Sequence, residues 1–442
     1  MSQKLQPVRG THDILPEEFE KFHAVVTRAR ELATLYGFKE MATPIFEPTE
    51  VFSHSMGETS DVVSKEMFTF QTKGEESVTL RPEFTAGIVR AFLSNGMQQH
   101  LPLKLFSTGP LFRYERPQKG RQRQFHQVNF EWLGDDSAEV DIEIILLAGE
   151  FLHTLSGKKG CTLLLNTLGD AESRAKYRKA LVACLTPNSA KLSEDSRRRL
   201  LVNPLRILDS KSEEDKEVLR NAPRITEYLS AASAERFEKV RFALTANIPY
   251  GQEVRVESSL VRGLDYYTDT VFEFVANTGD LGAQNTVLAG GRYDGLIEQM
   301  GGKPTPAIGF AAGIERLMLL VGDDPRANLK AKPRAYVCVI PLENMTTEAI
   351  HVFCSSLRGA IGNWTMQQSQ QQRHTVEILW QGKLGKRIEK AAKAGATHVI
   401  ILGGDEAKSN SCALKDMKTG NQKIVPLDAF VDKRILAQLL SL

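Results

Sequence analysis

The stretch "GPLFRYERPQKGRQRQFHQVNFEWLG" (residues 109–134) places two strand-like runs on either side of a basic loop that is rich in Gly and Gln. Because side chains along a strand alternate between its two faces, one face of the returning run carries Phe125, Gln127, Asn129 and Glu131. A face with a carboxylate and two amides is a poor core, since an unpaired buried polar group costs about 1–3 kcal/mol. The stretch therefore predicts a hairpin with one polar face.

The loop of this hairpin is strongly basic. Five basic residues and one acid, Glu115, lie between Arg113 and Arg123, and Arg113 ends the first strand. Such a run suits a phosphate backbone, although a solvated hairpin loop is the usual explanation for it from local sequence. His126 falls on the opposite face of the returning strand and is interpreted as a packed histidine.

A second polar strand is "LVRGLDYYTDTVFEF" (residues 260–274), which holds an Arg-Gly pair, an Asp and two adjacent tyrosines. Its polar groups need either internal partners or a ligand. In the neighbouring block "LAGGRYDGL", Gly290 and Gly291 permit a close backbone approach, and a turn between strand and helix accounts for them.

Two further segments place polar residues beside apolar runs. In "VTLRPEFTAGIVRA", Glu83 and Thr85 fall at a strand-to-helix junction, where Thr85 could cap the helix and Glu83 complement its dipole. In "AIGFAAGIERLMLL", small residues precede a helix whose apolar run is interrupted by Glu315 and Arg316. Each signal is weak when it is taken alone.

The flanking sequence predicts an α+β body. An amphipathic helix is expected from Leu15 to Tyr36, with Pro16 near its start and Gly37 at its end. The following run, "FKEMATPIFEPTEVF", is predicted as a strand broken by prolines, which is typical of an edge or interface strand.

Changes in composition divide the chain. The predicted α+β body comprises residues 1–169 and 251–322, and it is interrupted at residues 170–250 by charged, helix-forming segments. A polar segment without periodicity, residues 323–333, is the expected linker. Strands and helices then alternate over residues 334–442, which predicts a small α/β domain.

Composition limits the possible functions. Fifty-six basic and 54 acidic residues give a net charge of +2, so a nucleic-acid partner would need a local basic patch. The five cysteines are widely spaced without zinc-ligand spacing, which predicts reduced thiols and no structural metal. The N-terminal sequence resembles neither a signal nor a transit peptide, and no window reaches the length of a membrane span. We therefore expect a cytoplasmic protein with no membrane partner.

In their order along the chain, three blocks resemble the signature motifs of class II aminoacyl-tRNA synthetases: "ATPIFEPTEVF" resembles motif 1, "FRYERPQKGRQRQFHQ" motif 2 and "GFAAGIERL" motif 3. "RGLDYYT", "AGGRYDGL" and "TLRPEFTA" match blocks peculiar to the histidyl-tRNA synthetase family, and the resemblance extends from "VRGTHDILP" to "GGDEAKSNSCALKDM". It implies an antiparallel sheet flanked by helices, a helical insertion and a C-terminal α/β anticodon-binding domain.

The resemblance implies a site for L-histidine. Glu131 and Tyr267 would face the imidazole, with Tyr266 beside them. The α-amino group would be held by Glu83, Thr85 and Gln127. A carboxylate and a tyrosine hydroxyl can satisfy both ring nitrogens, which answers why the second polar strand carries so many polar groups.

The resemblance also implies the chemistry. Arg262 would be the main catalytic residue, and with Arg113 it would stabilise attack of the histidine carboxylate on the α-phosphate of ATP. Phe125 would stack on adenine, while Arg316 covers its other face and reaches the terminal phosphates alongside Arg121. Mg²⁺ would bridge the phosphates.

The remaining implied partners are the histidine tRNA and a second subunit. Arg116 and Gln118 of the motif 2 loop would meet the acceptor stem, and the C-terminal domain would bind the anticodon. The motif 1 strand, with Pro44, would form the interface of a homodimer. One departure from the family pattern is Phe84, which stands where members often have Gly.

Two rival interpretations share this architecture. A catalytically silent paralogue serves as a regulatory subunit of ATP phosphoribosyltransferase, but it would lack the last domain and lose the arginines that are intact here at positions 113, 262 and 316. Synthetases for proline, threonine or glycine belong to the same subgroup, but they should not carry "RGLDYYT".

Overall fold

The structure is a computed structural model that describes residues 5–57, 62–156, 160–248, 252–261, 266–277, 285–322, 335–366 and 374–440. The chain divides into two compact units, Met1–Leu329 and Lys330–Leu442. The expected linker, residues 323–333, lies outside the described residues. Within the described segments, no helix combines the length and apolar character needed to cross a bilayer.

The first unit contains eleven strands among the residues described. They are β1 (Lys39–Glu40), β2 (Phe46–Pro48), β3 (Phe68–Gln71), β4 (Ser77–Leu80), β5 (Leu103–Phe112), β6 (Gln124–Leu133), β7 (Cys161–Thr167), β8 (Glu253–Val256), β9 (Thr268–Ala276), β10 (Thr286–Arg292) and β11 (Ala307–Gly313). Eight of them form one sheet in the order β1-β5-β6-β11-β10-β9-β7-β8, and β2-β4-β3 form a separate antiparallel sheet. The large sheet is antiparallel except where β1 meets β5 and β7 meets β8.

Ten α-helices of this unit fall within the described residues. They are α1 (Pro16–Leu35), α2 (Thr49–Met56), α3 (Thr85–Ser94), α4 (Ala138–Ser156), α5 (Ala171–Leu185), α6 (Glu194–Val202), α7 (Glu213–Leu219), α8 (Ala231–Asn247), α9 (Leu296–Gln299) and α10 (Ile314–Val321). The predicted first helix and the predicted hairpin strands are therefore confirmed as α1, β5 and β6.

The large sheet is covered on both faces. Against one face, α1, α4, α8 and α10 bury an apolar core that includes Ile144 and Leu317. On the other face, α2, α3 and α9 pack with a second apolar cluster that includes Phe92 and three tyrosines. The hairpin of β5 and β6 lies inside the sheet, and its polar residues belong to the side that carries the tyrosines.

The segment from α5 to α8, hereafter the helical insert, has a core of its own. Tyr177, Leu181 and Ile207 are buried in a cluster formed within this segment. Its last helix is shared, because Val240 of α8 is buried in the core of the large sheet. The insert is therefore anchored to the large sheet through α8.

Two sequence-based expectations about local structure were wrong. The motif 1 strand ends at Pro48, and helix α2 begins at Thr49. Val51, Phe52 and Met56 are buried at helical spacing, which explains why this run is a helix. Gly290 and its neighbour do not form a turn, because both lie inside β10, where a Cβ on Gly290 would fall 2.3 Å from the carbonyl oxygen of the adjacent strand.

The second unit is a mixed α/β domain. Its described strands are β12 (Ala335–Pro341), β13 (His374–Ile378), β14 (His398–Leu402), β15 (Ser411–Asp416) and β16 (Gln422–Pro426), and its described helices are α11 (Thr347–Met366), α12 (Leu384–Lys393) and α13 (Lys433–Leu440). The sheet order is β13-β12-β14-β15-β16, with the first three strands parallel and the last two antiparallel to their neighbours.

Candidate active site

Glu83 caps helix α3. Its carboxylate accepts the backbone N–H groups of Thr85 at 2.7 Å and Ala86 at 2.6 Å. Burial raises the pKa of Glu83, and the two backbone hydrogen bonds oppose that rise. The cap at this junction is therefore Glu83, and the hydroxyl of Thr85 is used elsewhere.

Glu131 lies near the C-terminal end of β6 and is 1% exposed. Its Oε1 accepts the hydroxyl of Thr85 at 2.5 Å and the amide of Asn129 at 3.1 Å, and its Oε2 accepts the hydroxyl of Tyr293 at 2.5 Å. Burial raises the pKa of Glu131 to about 7 although these three hydrogen bonds lower it, and the charge of Glu83 adds to the rise. All three donors are uncharged, so the carboxylate has no adjacent cation among the hydrogen-bond partners described.

A glycine on the neighbouring strand makes room for this carboxylate. Gly309 of β11 pairs directly with Glu131. A Cβ at position 309 would lie 1.7 Å from Oε2 of Glu131, far inside van der Waals contact. The glycine at position 309 of motif 3 therefore leaves room on β11 for the carboxyl group of Glu131.

Three buried tyrosines surround this carboxylate on one side. The ring centroids of Tyr266 and Tyr267 are 4.7 Å apart, and those of Tyr266 and Tyr293 are 5.7 Å apart. Burial is the main cause that raises the pKa of both Tyr266 and Tyr293, and nearby Tyr267 and Glu131 respectively add to it. These hydroxyls therefore stay protonated and can donate hydrogen bonds.

Tyr293 was missed as a candidate residue. The block "AGGRYDGL" was singled out, but its tyrosine had no assigned role. Its partner Glu131 is 162 residues away in sequence, so no local pattern reveals the contact. The available signal was chemical, because a buried tyrosine hydroxyl normally finds a hydrogen-bond partner.

Arg113 and Arg316 lie at the loop end of the hairpin. The Nε of Arg113 donates to the carbonyl of Pro82 at 2.9 Å, and its guanidinium carbon lies 5.2 Å from the ring centroid of Phe125. Arg316 donates from Nε to the carbonyl of Gly120 at 3.0 Å and from Nη1 to that of Thr286 at 2.8 Å.

The positive charges at this end of the site affect one another's pKa. Burial lowers the pKa of Arg316, and the positive charges of Arg121 and Arg113 lower it further, while nearby Glu115 raises it. Arg121 itself forms an ion pair with Glu115, with Nη1 and Oε2 2.7 Å apart. Positive charge is therefore concentrated beside Phe125, as an anionic ligand requires.

The motif 2 loop closes as a tight turn. Gln118 and Arg121 exchange backbone hydrogen bonds of 3.0 and 2.9 Å. The guanidinium of Arg123 lies 3.9 Å from the ring centroid of Tyr114. Arg116 and Gln118 are exposed at the tip, so the loop presents them to solvent.

Two further predicted residues complete the comparison with the sequence. Gln127 is half-buried on β6, where it pairs with Gly109 on one side and Gly313 on the other. Arg262 lies outside the described residues, between the buried Val261 and Tyr266. Its assignment as the main catalytic residue stays a prediction.

His126 links motifs 2 and 3. Its backbone N–H donates to both carboxylate oxygens of Glu315 at 3.0 Å, and its Nδ1 lies 2.8 Å from Oε1 of the same residue. The edge of its ring also contacts Phe22. The expectation of a packed histidine is confirmed, and Glu315 holds the strand between Phe125 and Gln127.

Comparison with known proteins agrees with this geometry. Residues 10–317 match the family model described as "Histidyl-tRNA synthetase", and residues 337–437 match one described as "Anticodon binding domain". The chain is 48% identical over 423 residues to a protein named "Histidine--tRNA ligase" from Gluconobacter oxydans, with 96% of each chain covered. It is 45% identical over 430 residues to the protein of the same name from Wolbachia pipientis wMel, with 97% of this chain and 98% of the relative covered.

A solved structure shows the same architecture. The apo histidyl-tRNA synthetase of S. aureus superposes with a TM-score of 0.76 at 32% sequence identity. The match covers 97% of this chain and 99% of that chain. The similarity therefore includes the catalytic sheet, the helical insert and the C-terminal unit.

Proposed function

Because the chain belongs to the histidyl-tRNA synthetase family, we propose that it is a histidine–tRNA ligase. It activates L-histidine with ATP to give histidyl-adenylate and pyrophosphate, and it then transfers histidine to the 3′ end of its cognate tRNA. The observation that carries this proposal is the buried Glu131, which is held by uncharged donors beside the tyrosine cluster.

The pocket around Glu131 suits an imidazole. A histidine ring offers two nitrogens that need defined partners, and Glu131 and Tyr267 supply a carboxylate and a hydroxyl with Tyr266 packed beside them. A substrate without these nitrogens would leave buried polar groups unpaired, and sites of this kind discriminate by about 10⁴–10⁵.

The α-amino group of histidine would lie near the start of α3. Glu83 is a buried carboxylate with two backbone donors, and a carboxylate can accept about four hydrogen bonds in all. Thr85 donates its proton to Glu131, so its oxygen can still accept one from an ammonium group. Gln127 would supply the third contact from β6.

The first step joins two anions. A carboxylate oxygen of histidine forms a bond to the α-phosphorus of ATP, and the bond from that phosphorus to the bridging oxygen breaks, so that pyrophosphate leaves with its electron pair. Arg113 and Arg262 would stabilise the charge that builds up on the α-phosphate. The bond from Arg113 to Pro82 orients its guanidinium for this role.

The adenine of ATP would stack on Phe125. Arg316 would cover the other face of the base and reach the terminal phosphates together with Arg121. The hydrogen bonds from Nε and Nη1 of Arg316 to the carbonyls of Gly120 and Thr286 orient its guanidinium. In the second step, the 3′-hydroxyl of the tRNA attacks the carbonyl carbon of the adenylate and AMP leaves.

The residues present also fit Mg²⁺ bound to the phosphates. Mg²⁺ is held by phosphates, waters and one or two carboxylates rather than by an all-protein cage. The charge of Glu273 raises the pKa of Arg316, and its carboxylate accepts a hydrogen bond from the hydroxyl of Thr286 at 2.9 Å. Glu273 therefore lies at the nucleotide end of the site. When bound, Mg²⁺ would neutralise phosphate charge there, and Glu273 would hold it.

The tRNA would be bound by two regions. Arg116 and Gln118, which are exposed on the motif 2 loop, would contact the acceptor stem. The unit from about residue 334 would bind the anticodon, in agreement with the family model matched over residues 337–437. The catalytic domain would comprise residues 1–169 and 251–322, with residues 170–250 as its insertion and residues 323–333 as the linker.

The protein would act as a cytoplasmic homodimer. In the small sheet, Phe46 and Phe70 pair with Leu80 and Val78 of β4, so the two aromatic rings project from one face. Phe46 is 55% exposed and Phe70 is 47% exposed. This exposed apolar face supports the proposed dimer, and Phe46 follows the motif 1 proline Pro44 by two residues. Sedimentation that shows only monomers at micromolar concentration would contradict the dimer.

The activity is tested by amino-acid-dependent ATP–pyrophosphate exchange with the purified protein and all twenty amino acids. We expect exchange with histidine alone. A response to proline, threonine or glycine would mean that the pocket binds another side chain. No exchange with any amino acid would favour the regulatory role of the silent paralogue.

A further inference from the structure

The helical insert touches the histidine pocket at the backbone of a pocket tyrosine. Arg174 in the first turn of α5 donates from Nη1 to the carbonyl oxygen of Tyr267 at 2.9 Å. The two segments also meet where β7 pairs with β9, because Leu168, just before α5, donates its N–H to the carbonyl of Asp269 at 2.7 Å. The start of the insert and the pocket strand are therefore adjacent.

The backbone after Tyr267 needs support. The register between β9 and β10 shifts there, since Gly291 pairs with Val271 but the next residue, Arg292, pairs with Thr268. Asp269 lies in this irregular segment with a φ of 38°, in the left-handed region that non-glycine residues rarely adopt. A bulge re-aims the side chains beside it, so its conformation sets the direction of Tyr267.

A second helix of the insert holds the same bulge. The hydroxyl of Ser233 in α8 donates to the carboxylate of Asp269 at 2.7 Å. The N-termini of α5 and α8 are joined to each other, because Asp170 accepts the N–H of Ser173 at 2.8 Å and the hydroxyl of Ser230 at 2.6 Å. Helices α5 and α8 of the insert, joined at their N-termini, therefore both bind the bulged segment at the start of β9.

The ring of Tyr267 is held from the other side by the sheet. A Cβ on Gly291 would fall 2.9 Å from Cδ1 of Tyr267, so the ring lies directly over that glycine. With its ring packed on β10 and its carbonyl held by Arg174, Tyr267 is fixed at both ends. Loss of the Arg174 contact would free the backbone while leaving the packing partner of the ring in place.

The charged guanidinium of Arg174 donates its hydrogen bond to an uncharged backbone carbonyl. Burial lowers the pKa of Arg174, and the nearby carboxylates of Asp269 and Asp170 oppose that effect. In the described part of the chain Arg174 forms no ion pair within 4.0 Å, and its guanidinium donates to the carbonyl of Tyr267.

We propose that Arg174 is a positioning residue for histidine recognition, which acts from the helical insert through the backbone of Tyr267. This role rests on the proposed function, because it requires Tyr267 to contact the imidazole. It makes the insert part of the histidine pocket, in addition to whatever contacts the insert makes with other partners.

The test measures ATP–pyrophosphate exchange and varies histidine and ATP separately. In Arg174→Met the aliphatic volume is kept and the donor is lost, so we expect the KM for histidine to rise at least ~10-fold, with the KM for ATP and kcat within about twofold of the wild type. In Arg174→Lys an ammonium can donate to the same carbonyl, which should recover part of the loss. The matched control is Arg178→Met, one turn further along α5 on its exposed side, and it should leave all three constants unchanged.

Two results would overturn the inference. A KM for histidine within twofold of the wild type in Arg174→Met would remove the positioning role. A joint change in both KM values and kcat, together with a lower unfolding temperature and no rescue by Lys, would make Arg174 a structural residue. Wild-type protein without histidine-dependent exchange would refute the proposed function itself, which distinguishes that failure from failure of the positioning role.

Discussion

Two fully buried carboxylates of the catalytic unit, Glu131 and Asp141, have opposite surroundings. Asp141 on α4 is paired with Arg292, whose Nη2 lies 2.5 Å from Oδ1, and both side chains are 0% exposed. Its other oxygen accepts the hydroxyl of Thr270 at 2.7 Å. Glu131 receives hydrogen bonds from uncharged groups alone among the contacts described.

The difference in hydrogen-bond partners indicates a structural role for Asp141 and a ligand-binding role for Glu131. A buried carboxylate next to a cation is already compensated, so Asp141 and Arg292 stabilise the junction of α4, β9 and β10. A buried carboxylate without a cation costs free energy that a ligand can recover on binding. We therefore expect Glu131 to be the carboxylate that meets the imidazole of histidine, whereas Asp141 holds α4 against β9 and β10.

The largest expected effect is a loss of stability when the buried pair of Asp141 and Arg292 is broken. Asp141→Ala leaves the guanidinium of Arg292 buried without its main partner, and removing one member of a buried pair costs about 3–5 kcal/mol. We expect a large fall in the unfolding temperature, measured by differential scanning calorimetry. The control is Asp136→Ala, an exposed aspartate five residues earlier, which should be nearly neutral. Equal unfolding temperatures for the two variants would contradict the structural role.

The second prediction is a pH dependence of stability that comes from Glu131. Folding raises its pKa from 4.5 to about 7, so the folded state binds the proton more tightly and stability is lost as the pH rises from about 4.5 through 7. At about 1.4 kcal/mol for each pKa unit, the full loss is about 3 kcal/mol.

This loss is measured by chemical unfolding of ligand-free wild type and Glu131→Gln between pH 4.5 and 8. The variant cannot titrate at position 131, so it should gain stability relative to the wild type as the pH rises. A difference between the two proteins that stays constant across this range would show that Glu131 is not perturbed.

The third prediction concerns Tyr293. Tyr293→Phe removes the donor to Oε2 of Glu131 and should cost about 1–2 kcal/mol in recognition, a ~5–30-fold rise in the KM for histidine. Pyrophosphate exchange measures it. The matched control is Tyr177→Phe, which removes a buried hydroxyl that donates to the carbonyl of Pro223 at 3.0 Å within the insert. An unchanged KM in Tyr293→Phe would mean that this hydroxyl does not help to hold Glu131.

The smallest expected effect lies at the exposed loop. Arg116→Ala should leave histidine-dependent exchange unchanged and weaken the binding of tRNA only a few-fold. If Arg116 contacts one phosphate, the slope of log affinity against log salt should fall by about 1. The measurement is a filter-binding titration at several salt concentrations. An identical slope in the variant would argue against a phosphate contact at this position.

The sequence predicted those parts of the fold and site that are local. Alternation along β6 identified the face that carries Glu131, and Pro16 and Gly37 located the two ends of α1. Local patterns failed where contacts join distant segments. The bond between Tyr293 and Glu131 spans 162 residues, and the place of Gly290 inside β10 depends on strands that pair through space.

The same limit explains the helical insert and motif 1. The charged composition of residues 170–250 predicted helices, but it gave no sign that Arg174 reaches the carbonyl of Tyr267. In motif 1, Pro48 obscured the helix that follows it, because the burial of Phe52 depends on packing against a partner helix. The roles assigned to Arg262 and to the other site residues by resemblance stay predictions.

The most direct test of the contrast between the two carboxylates is histidine-dependent ATP–pyrophosphate exchange by Glu131→Gln at pH 7.5, with its unfolding temperature measured in parallel. The amide cannot accept hydrogen bonds at both positions, so we expect exchange to fall at least ~100-fold while the protein stays folded. Exchange within threefold of the wild type would contradict the assignment of Glu131 to histidine recognition.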